Sequence, residues 1–369
     1  MSDFTSEISE MVEATRSLYQ KGASDGLPVV PPTDDRVAEM MRGTELSRGH
    51  ELGRLGNREG ILTVEKLAIN GVMAGCTPVH MPVLVAGARA MAHPDSNVIQ
   101  VSVSTGSWAY CWVVNGPVRG ELGIRSRYGP GSRANRVIGR ALGLAYKNTA
   151  IIHPGEKDMG VQGNPFKYSL LVGENEEASP WDPVHVSEGF DADESTVTLG
   201  GPNGFGQYST PAEASASDVL ERIIYNTPPW MTGRERKSFR NWVIHGLAPD
   251  NATTLADAGF TKSDTKAYLC ENDQLTESER YPGFLTRDDD AEVESIRTPR
   301  YEDPDLIKLP VVGASGRENV AMGPSLGGPV TVQIEFPDEW DQLRAEYAAG
   351  TERTGTDEEY QWLADPRAE

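Results

Sequence analysis

The sequence predicts an α/β fold, with mixed or mostly parallel sheet layers flanked by helices and divided into two α/β domains. Three observations predict it. The chain of 369 residues is long enough for more than one core. Short Val-, Ile- and Leu-rich runs of strand length alternate with segments whose apolar residues recur at helical spacing. Capping hydroxyls, glycines and prolines punctuate the boundaries between them.

Taken in order, residues 4 to 21 carry Phe4, Ile8, Met11, Val12, Thr15 and Leu18 along one side of a helix that Gly22 ends. A proline-fixed extended segment then leads to a helix capped by Thr33 with acids in its first turn. Thr63 caps the next helix, Gly75 ends it, and Pro78 opens a nearly all-apolar helix that reaches about Ala92. Strands are expected at "VIQVSVS" (98 to 104), "AYCWVVNG" (109 to 116), "KYSLLVG" (167 to 173) and "STVTLGG" (195 to 201), with a helix over 132 to 148. Thr210, Pro211 and Glu213 have the spacing of a helix start, and that helix should end near Tyr225. The second half adds a strand at "NWVIHGL", helices around 249 to 259 and 262 to 271, an acidic loop to about 305, strands at "LIKLPVVG" and "VTVQIEF", and a helix from Asp338 to about Ala349. The boundaries read as 1 to 208 and 209 to 349, followed by a polar tail over 350 to 369; no internal repeat is strong enough to use.

Charge narrows the partners. Asp and Glu number 55 against 34 Lys and Arg, of which nine are Lys, and the formal net charge is −21. This excess argues against nucleic acid or an anionic membrane surface as the main partner, and a lysine-poor acidic surface suits a salt-rich, halophilic cytosol. The N-terminus has no basic region followed by an apolar core, and no apolar run approaches about 18 residues. A cytoplasmic protein is expected. Three widely spaced cysteines, Cys76, Cys111 and Cys270, make neither a disulfide framework nor a Cys-x-x-Cys unit.

The candidate chemistry lies in three stretches. Cys76 stands where one helix hands over to the next, so it reads either as a reactive thiol near a helix start or as a small apolar filler. Cys111, inside a strand, and Cys270 read as inert. The segment "GIRSRYGPGSRANRVIGR" surrounds Gly129 and Gly131 with Arg125, Arg127, Arg133, Arg136 and Arg140. Backbone N–H groups at a helix start and guanidinium forks suit a carboxylate or phosphate, although pairing to the many acids would also account for the arginines. Its match to G-x-G-x-x-A is weak as a dinucleotide fingerprint, because no strand runs directly into it. Another glycine-rich stretch, "LGGPNGFGQYST", reads as a ligand-approach loop or a crossover. In "GENEEASPWDPVHVSEGF", Glu174 and Glu176 would share one face if the preceding strand continued, which suits acid–base work or a hard cation. Gly323 to Gly327 fits G-x-S-x-G, but a strand rather than a helix follows, against a nucleophile elbow at Ser325.

Several of these stretches, "VEKLAINGVMAGCTPVHMPV", "VNGPVRGELGI", "GPGSRANRVIGRALGL", "GENEEASPWDPVHVSEGF" and "STVTL", together resemble an uncharacterised prokaryotic family associated with UGSC (seleno)proteins. The resemblance covers about residues 26 to 270. It implies that Cys76, Asn115, Arg133, Asn135, Arg140, Glu174, Asn175, Glu176 and Trp181 match family motif positions. Val79 and His80 replace the Glu-Tyr pair common in relatives, and the Cys-Gly-Ser-Cys motif is absent from this chain, so any redox step would need a separate UGSC-type partner or does not occur.

The combined expectation is an enzyme acting on a small anionic substrate, a thiol-dependent lyase or hydrolase of a carbon–heteroatom bond. Asn115, Gly129, Gly131, Arg133, Asn135 and Arg140 would bind the anion, Glu174 or Glu176 would transfer protons, and Cys76 would be nucleophile or soft ligand. A non-catalytic binding or redox-partner subunit and a metal-binding protein are the alternatives. Cofactor and metal are left unassigned, and self-association into a homo-oligomer is the one further partner expected.

Overall fold

The computed structural model describes residues 2–56, 60–126, 132–168, 170–227, 242–275, 298–301 and 303–348. Gly129, Gly131, Arg127, most of the acidic loop before 305 and the tail from 350 lie outside the described residues.

Helices α1 (Ser2–Gln20) and α2 (Asp34–Met40) lead to a hairpin of β1 (Glu51–Arg54) and β2 (Ile61–Thr63), then α3 (Val64–Ala74) and α4 (Met81–Ala92). Local chemistry explains their ends. Thr33 accepts from the Arg36 N–H and Thr63 from that of Lys66, while Gly75 ends α3 at φ 86°, where a side chain would be strained. The chain continues through α5 (Val98–Val103), β3 (Cys111–Asn115), α6 (Val118–Leu122), α7 (Arg133–Ala150), β4 (Leu170–Gly173), α8 (Val184–Ser187), β5 (Thr196–Gly200) and β6 (Phe205–Ser209). Then come α9 (Ala216–Asn226), β7 (Trp242–Gly246), α10 (Pro249–Asp257), α11 (Lys262–Asn272) and a short pair of β8 (Gln274–Leu275) with β9 (Thr298–Pro299). The last elements are β10 (Ile307–Lys308), β11 (Glu318–Ser325), β12 (Val330–Gln333) and α12 (Trp340–Ala348).

Two four-stranded sheets, ordered β12-β5-β3-β4 and β10-β7-β11-β6, form the centre. Period-two alternation divides their side chains between layers. Cys111 and Val113 of β3 meet Trp242 and Ile244 of β7 and Met322 of β11 in a core between the sheets. Trp112 and Val114 point the other way, into a core shared with Leu67, Leu84, Ile138 and Leu142 from α3, α4 and α7. On the far side Val243 packs with Leu220, Ile223, Leu255 and Leu269 from α9, α10 and α11. The layer order is therefore helix, sheet, sheet, helix, an α/β architecture with mixed sheets flanked by helices. Each large sheet has one parallel pairing, β3 with β4 and β7 with β10, beside antiparallel ones, so the sheets are mixed and not mostly parallel.

The two sheets repeat one plan. In chain order β3, β4 and β5 build the first sheet and β6 crosses to the second; β7, β10 and β11 build the second and β12 crosses back. The directions match strand for strand, and the crossings touch where Gly201 N–H donates to Gly327 O (3.0 Å) and Leu326 N–H to Gly201 O (3.0 Å). An internal repeat thus exists in topology, although its residues diverge too far to show in the sequence. Pairing and packing also cross the 208/209 boundary. β12 pairs with β5, and Leu343 of α12 packs in the first core.

Three further expectations are corrected. "VIQVSVS" is α5, because Asn97 turns into the left-handed region at φ 53° and the inward residues Val98, Val101 and Ser102 follow helical spacing. The Thr210 hydroxyl does not cap a helix: it is buried and accepts from Asn251 and Asn319 side chains, while Ser215 and Asp218 form the capping box of α9. The glycine-rich stretch after β5 is a crossover, one of its two readings, but it is not all loop, since it contains strand β6, paired with β11.

Candidate functional site

The residues singled out in the sequence occupy three places around α7 and the ends of β3 and β4.

Cys76 follows the Gly75 cap of α3, and Arg133 opens α7 after the Ser132 cap, whose hydroxyl accepts from Asn135 N–H at 3.3 Å. The packing of α3 against α7 puts both side chains on the wall of one pocket of about 240 Å³, together with Arg36, Glu39, Thr77 and Tyr347. Arg133 donates to the Gly75 carbonyl at 3.2 Å, a cation at the C-terminus of α3, where the helix dipole favours it. The Cys76 thiol donates to Val137 O at 3.3 Å. Burial pushes this thiol well above the ordinary range, and the nearby Arg133 and Arg140 charges only partly oppose the shift. The next residues explain a neighbour: His80 accepts from Thr77 N–H at 2.9 Å, and burial lowers its pKa to about 4, so its ring is neutral at pH 7.

Glu174 and Glu176 lie elsewhere, at the carboxyl ends of β3 and β4. The strand does not continue to hold them on one face; it stops at Gly173 and a 3-10 turn starts at Glu176. They meet instead on Asn115, whose Nδ2 donates to Glu174 Oε2 at 2.6 Å and to Glu176 Oε1 at 2.9 Å. Glu174 is 0% exposed and also accepts from Val184 N–H (2.9 Å), Val311 N–H (3.2 Å) and Lys262 Nζ (3.3 Å). Glu176 accepts from Gly116 N–H at 2.8 Å and pairs with Arg119 at 2.6 Å. Both carboxylates are thus held by fixed donors. Glu174 in particular ties together β3, α8, α11 and the segment after β10, which makes it a cross-link between the two halves, and it is not among the residues lining the Cys76 pocket. Arg119 and Lys262 were not singled out in the sequence, since their partners stand 57 and 88 positions away. His185, next to Val184, is fully buried with neither ring nitrogen hydrogen-bonded.

Asn135 is not among the residues lining the Cys76 pocket. Its amide accepts from Arg125 N–H (2.9 Å) and donates to Arg125 O (3.0 Å) and Leu171 O (2.8 Å), fastening the arginine segment to β4. Arg140, two turns along α7, forms a two-pronged ion pair with Asp25 at 2.8 Å. Burial works to raise the Asp25 carboxyl, but the hydrogen bonds and charge of Arg140 win and hold it below its ordinary value. This pair borders a larger cavity of about 360 Å³ whose walls include Trp108, Tyr110, Trp112, Tyr146 and Phe166. The sequence reading missed that cavity, though Trp108, Tyr110 and Trp112 sit at period two in "WAYCW", a spacing that gathers aromatic rings on one side of an extended segment.

Cys111 fills the core between the sheets, and burial pushes its thiol up to about 12. Cys270 is partly exposed. Among the described residues no group of three or more His, Cys, Asp or Glu could hold a metal ion, and no helix is long and apolar enough to cross a membrane. No family model, curated protein or solved structure matches this chain, so its own geometry carries the functional reading.

Proposed function

We propose that the protein acts on a small anion, a carboxylate or phosphate, held in the pocket where Cys76 and Arg133 meet. One observation carries this reading: in a chain of net charge −21, two guanidinium side chains, Arg36 and Arg133, line a single pocket with a thiol, against one acid, Glu39. Tyr347 hydrogen-bonds that acid at its Oε1, which fixes the carboxylate on the pocket wall. The reaction class that fits is a lyase or hydrolase of a carbon–heteroatom bond, with Glu174 and Glu176 as supports of the fold around the site. Because burial keeps the thiol protonated, Cys76 enters as a hydrogen-bond donor, and nucleophilic attack would need a base delivered with the substrate. A non-catalytic binding or redox-partner subunit for a UGSC-type protein is the second reading, favoured by the place of Cys76 on the wall of a pocket.

Calorimetric titration with inorganic phosphate, acetate and succinate tests the first reading. Binding of at least one anion is expected, weakened tenfold or more in Arg133→Met and less than threefold in Cys76→Ala. Silence toward all three anions, or equal binding by Arg133→Met, would defeat it.

A further inference from the structure

Two turns along α7 from Arg133, the 360 Å³ cavity shares no lining residue with the Cys76 pocket. Its volume is in the range of small-molecule sites. Five of its eighteen lining residues are aromatic, in a chain with 7% aromatic residues, so the rings are concentrated here. Several are fixed in advance: Tyr110 Oη donates to Ser96 O at 3.0 Å, Trp108 Nε1 to Ser104 Oγ at 3.1 Å, and Tyr146 stands edge-on to Tyr110 at 5.2 Å between centroids. Trp112 Nε1, in contrast, is buried with no hydrogen-bond partner. Fixed aromatic walls take a flat apolar body with little loss of side-chain freedom.

The charges on the wall lean the other way from the rest of the chain. Arg140, Lys147 and Lys167 stand against Asp25 and Asp158, an excess of one positive charge where the molecule overall is strongly negative. Arg140 is matched by Asp25, and Lys167 by Asp158 at 2.5 Å. Lys147 donates to the Gly22 carbonyl, a neutral partner, so its charge is the one among these five that no carboxylate pairs directly. Burial lowers its pKa, with the Asp25 charge opposing, which marks an ammonium that an incoming anion would stabilise.

From these walls and charges we propose a second binding site, for an aromatic anion: a flat ring system lies between Trp108, Trp112, Tyr146 and Phe166, and its carboxylate or phosphate meets Lys147 beside the Arg140–Asp25 pair. The site is independent of the anion reading at Cys76.

The test titrates the full chain with 2-naphthoate, phenyl phosphate and the uncharged 2-naphthalenemethanol, read by calorimetry and by tryptophan fluorescence. At least one of the two anions should bind, at least tenfold tighter than the alcohol, and its affinity should fall at least fivefold in Lys147→Met. Which anion binds distinguishes a carboxylate from a phosphate ligand. Gly143→Leu, which puts a side chain into the cavity, should abolish binding; if that variant does not fold, Lys147→Met at the partly exposed wall carries the test. Binding of neither anion, equal binding of the alcohol, or full affinity in Lys147→Met would overturn the proposal. Arg133→Met should leave naphthoate binding unchanged, which separates this site from the Cys76 pocket.

Discussion

Glu174 shows what one residue can and cannot reveal in a sequence. Two glutamates after an apolar strand suggested chemistry, and the same acidity would equally suit solvent. Only the fold shows that Lys262 and the Val311 N–H arrive from the other half of the chain to close around the carboxylate. Removing one partner of a buried ion pair leaves the other charge without compensation. Glu174→Ala should therefore cost about 3–5 kcal/mol of unfolding free energy in urea titrations, by that principle. A loss under about 1 kcal/mol, the scale of an exposed pair, would show that Glu174 is not a cross-link. Asn135 is similar: its place in an arginine-rich loop suggests ligand contact, yet its hydrogen bonds go to the chain's own backbone and to the Ser132 hydroxyl. Cys76 and Arg133 could be paired only after α3 and α7 were seen to pack.

At the scale of elements, what was legible was local. The caps of α2 and α3, the glycine stop at Gly75 and the apolar α4 follow from residues within a turn of each boundary. What was not legible depended on distant partners. β-branched residues in "VIQVSVS" favour a strand in isolation, but among the described residues no strand pairs with them, and the segment coils against the cavity instead. β6 was hidden for the opposite reason, since glycines and polar residues become a strand only when β11 pairs with them. The end of α7 offers a test of local strain. Ile151 terminates it in the left-handed region at φ 53°, half exposed, where a β-branched side chain is disfavoured by roughly 1–2 kcal/mol and glycine is not. Ile151→Gly should raise the urea midpoint, with a gain of about 1 kcal/mol after the added chain entropy is counted. A lowered midpoint would show that the isoleucine contributes packing that outweighs its backbone conformation.

For the whole molecule, acidic composition and the α/β pattern were readable, while the doubling of the sheet plan was not, because topology survives substitutions that erase residue identity. The interior also sets a pH response. Burial lowers His80 to about 4 and His245 to about 3, helped by the Arg133 and Arg300 charges respectively, while burial raises Asp273 to about 7 against the pull of Arg300. Near pH 5 the unfolded chain would bind protons on both histidines and none on Asp273; the folded chain binds none on the histidines and one on Asp273. The unfolded state therefore holds one more proton from these groups, and they make stability fall with acidification between about pH 6 and 4, by roughly 1.4 kcal/mol per unit. Urea midpoints at pH 4.5 to 6 check the sign. His245→Gln should flatten the slope and Asp273→Asn should steepen it, and the reverse order would refute the assignment.

The exchanged strands have a consequence for how the protein is made. When the ribosome has delivered β3, β4 and β5, the second neighbour of β5 is still more than a hundred residues from being synthesised, since β12 begins at Val330. Until then the nascent first sheet presents an open strand edge, the kind of surface that recruits chaperones or mispairs with another chain. β6, already emerged, must wait for β11 in the same way. The two halves thus mature together, late in translation.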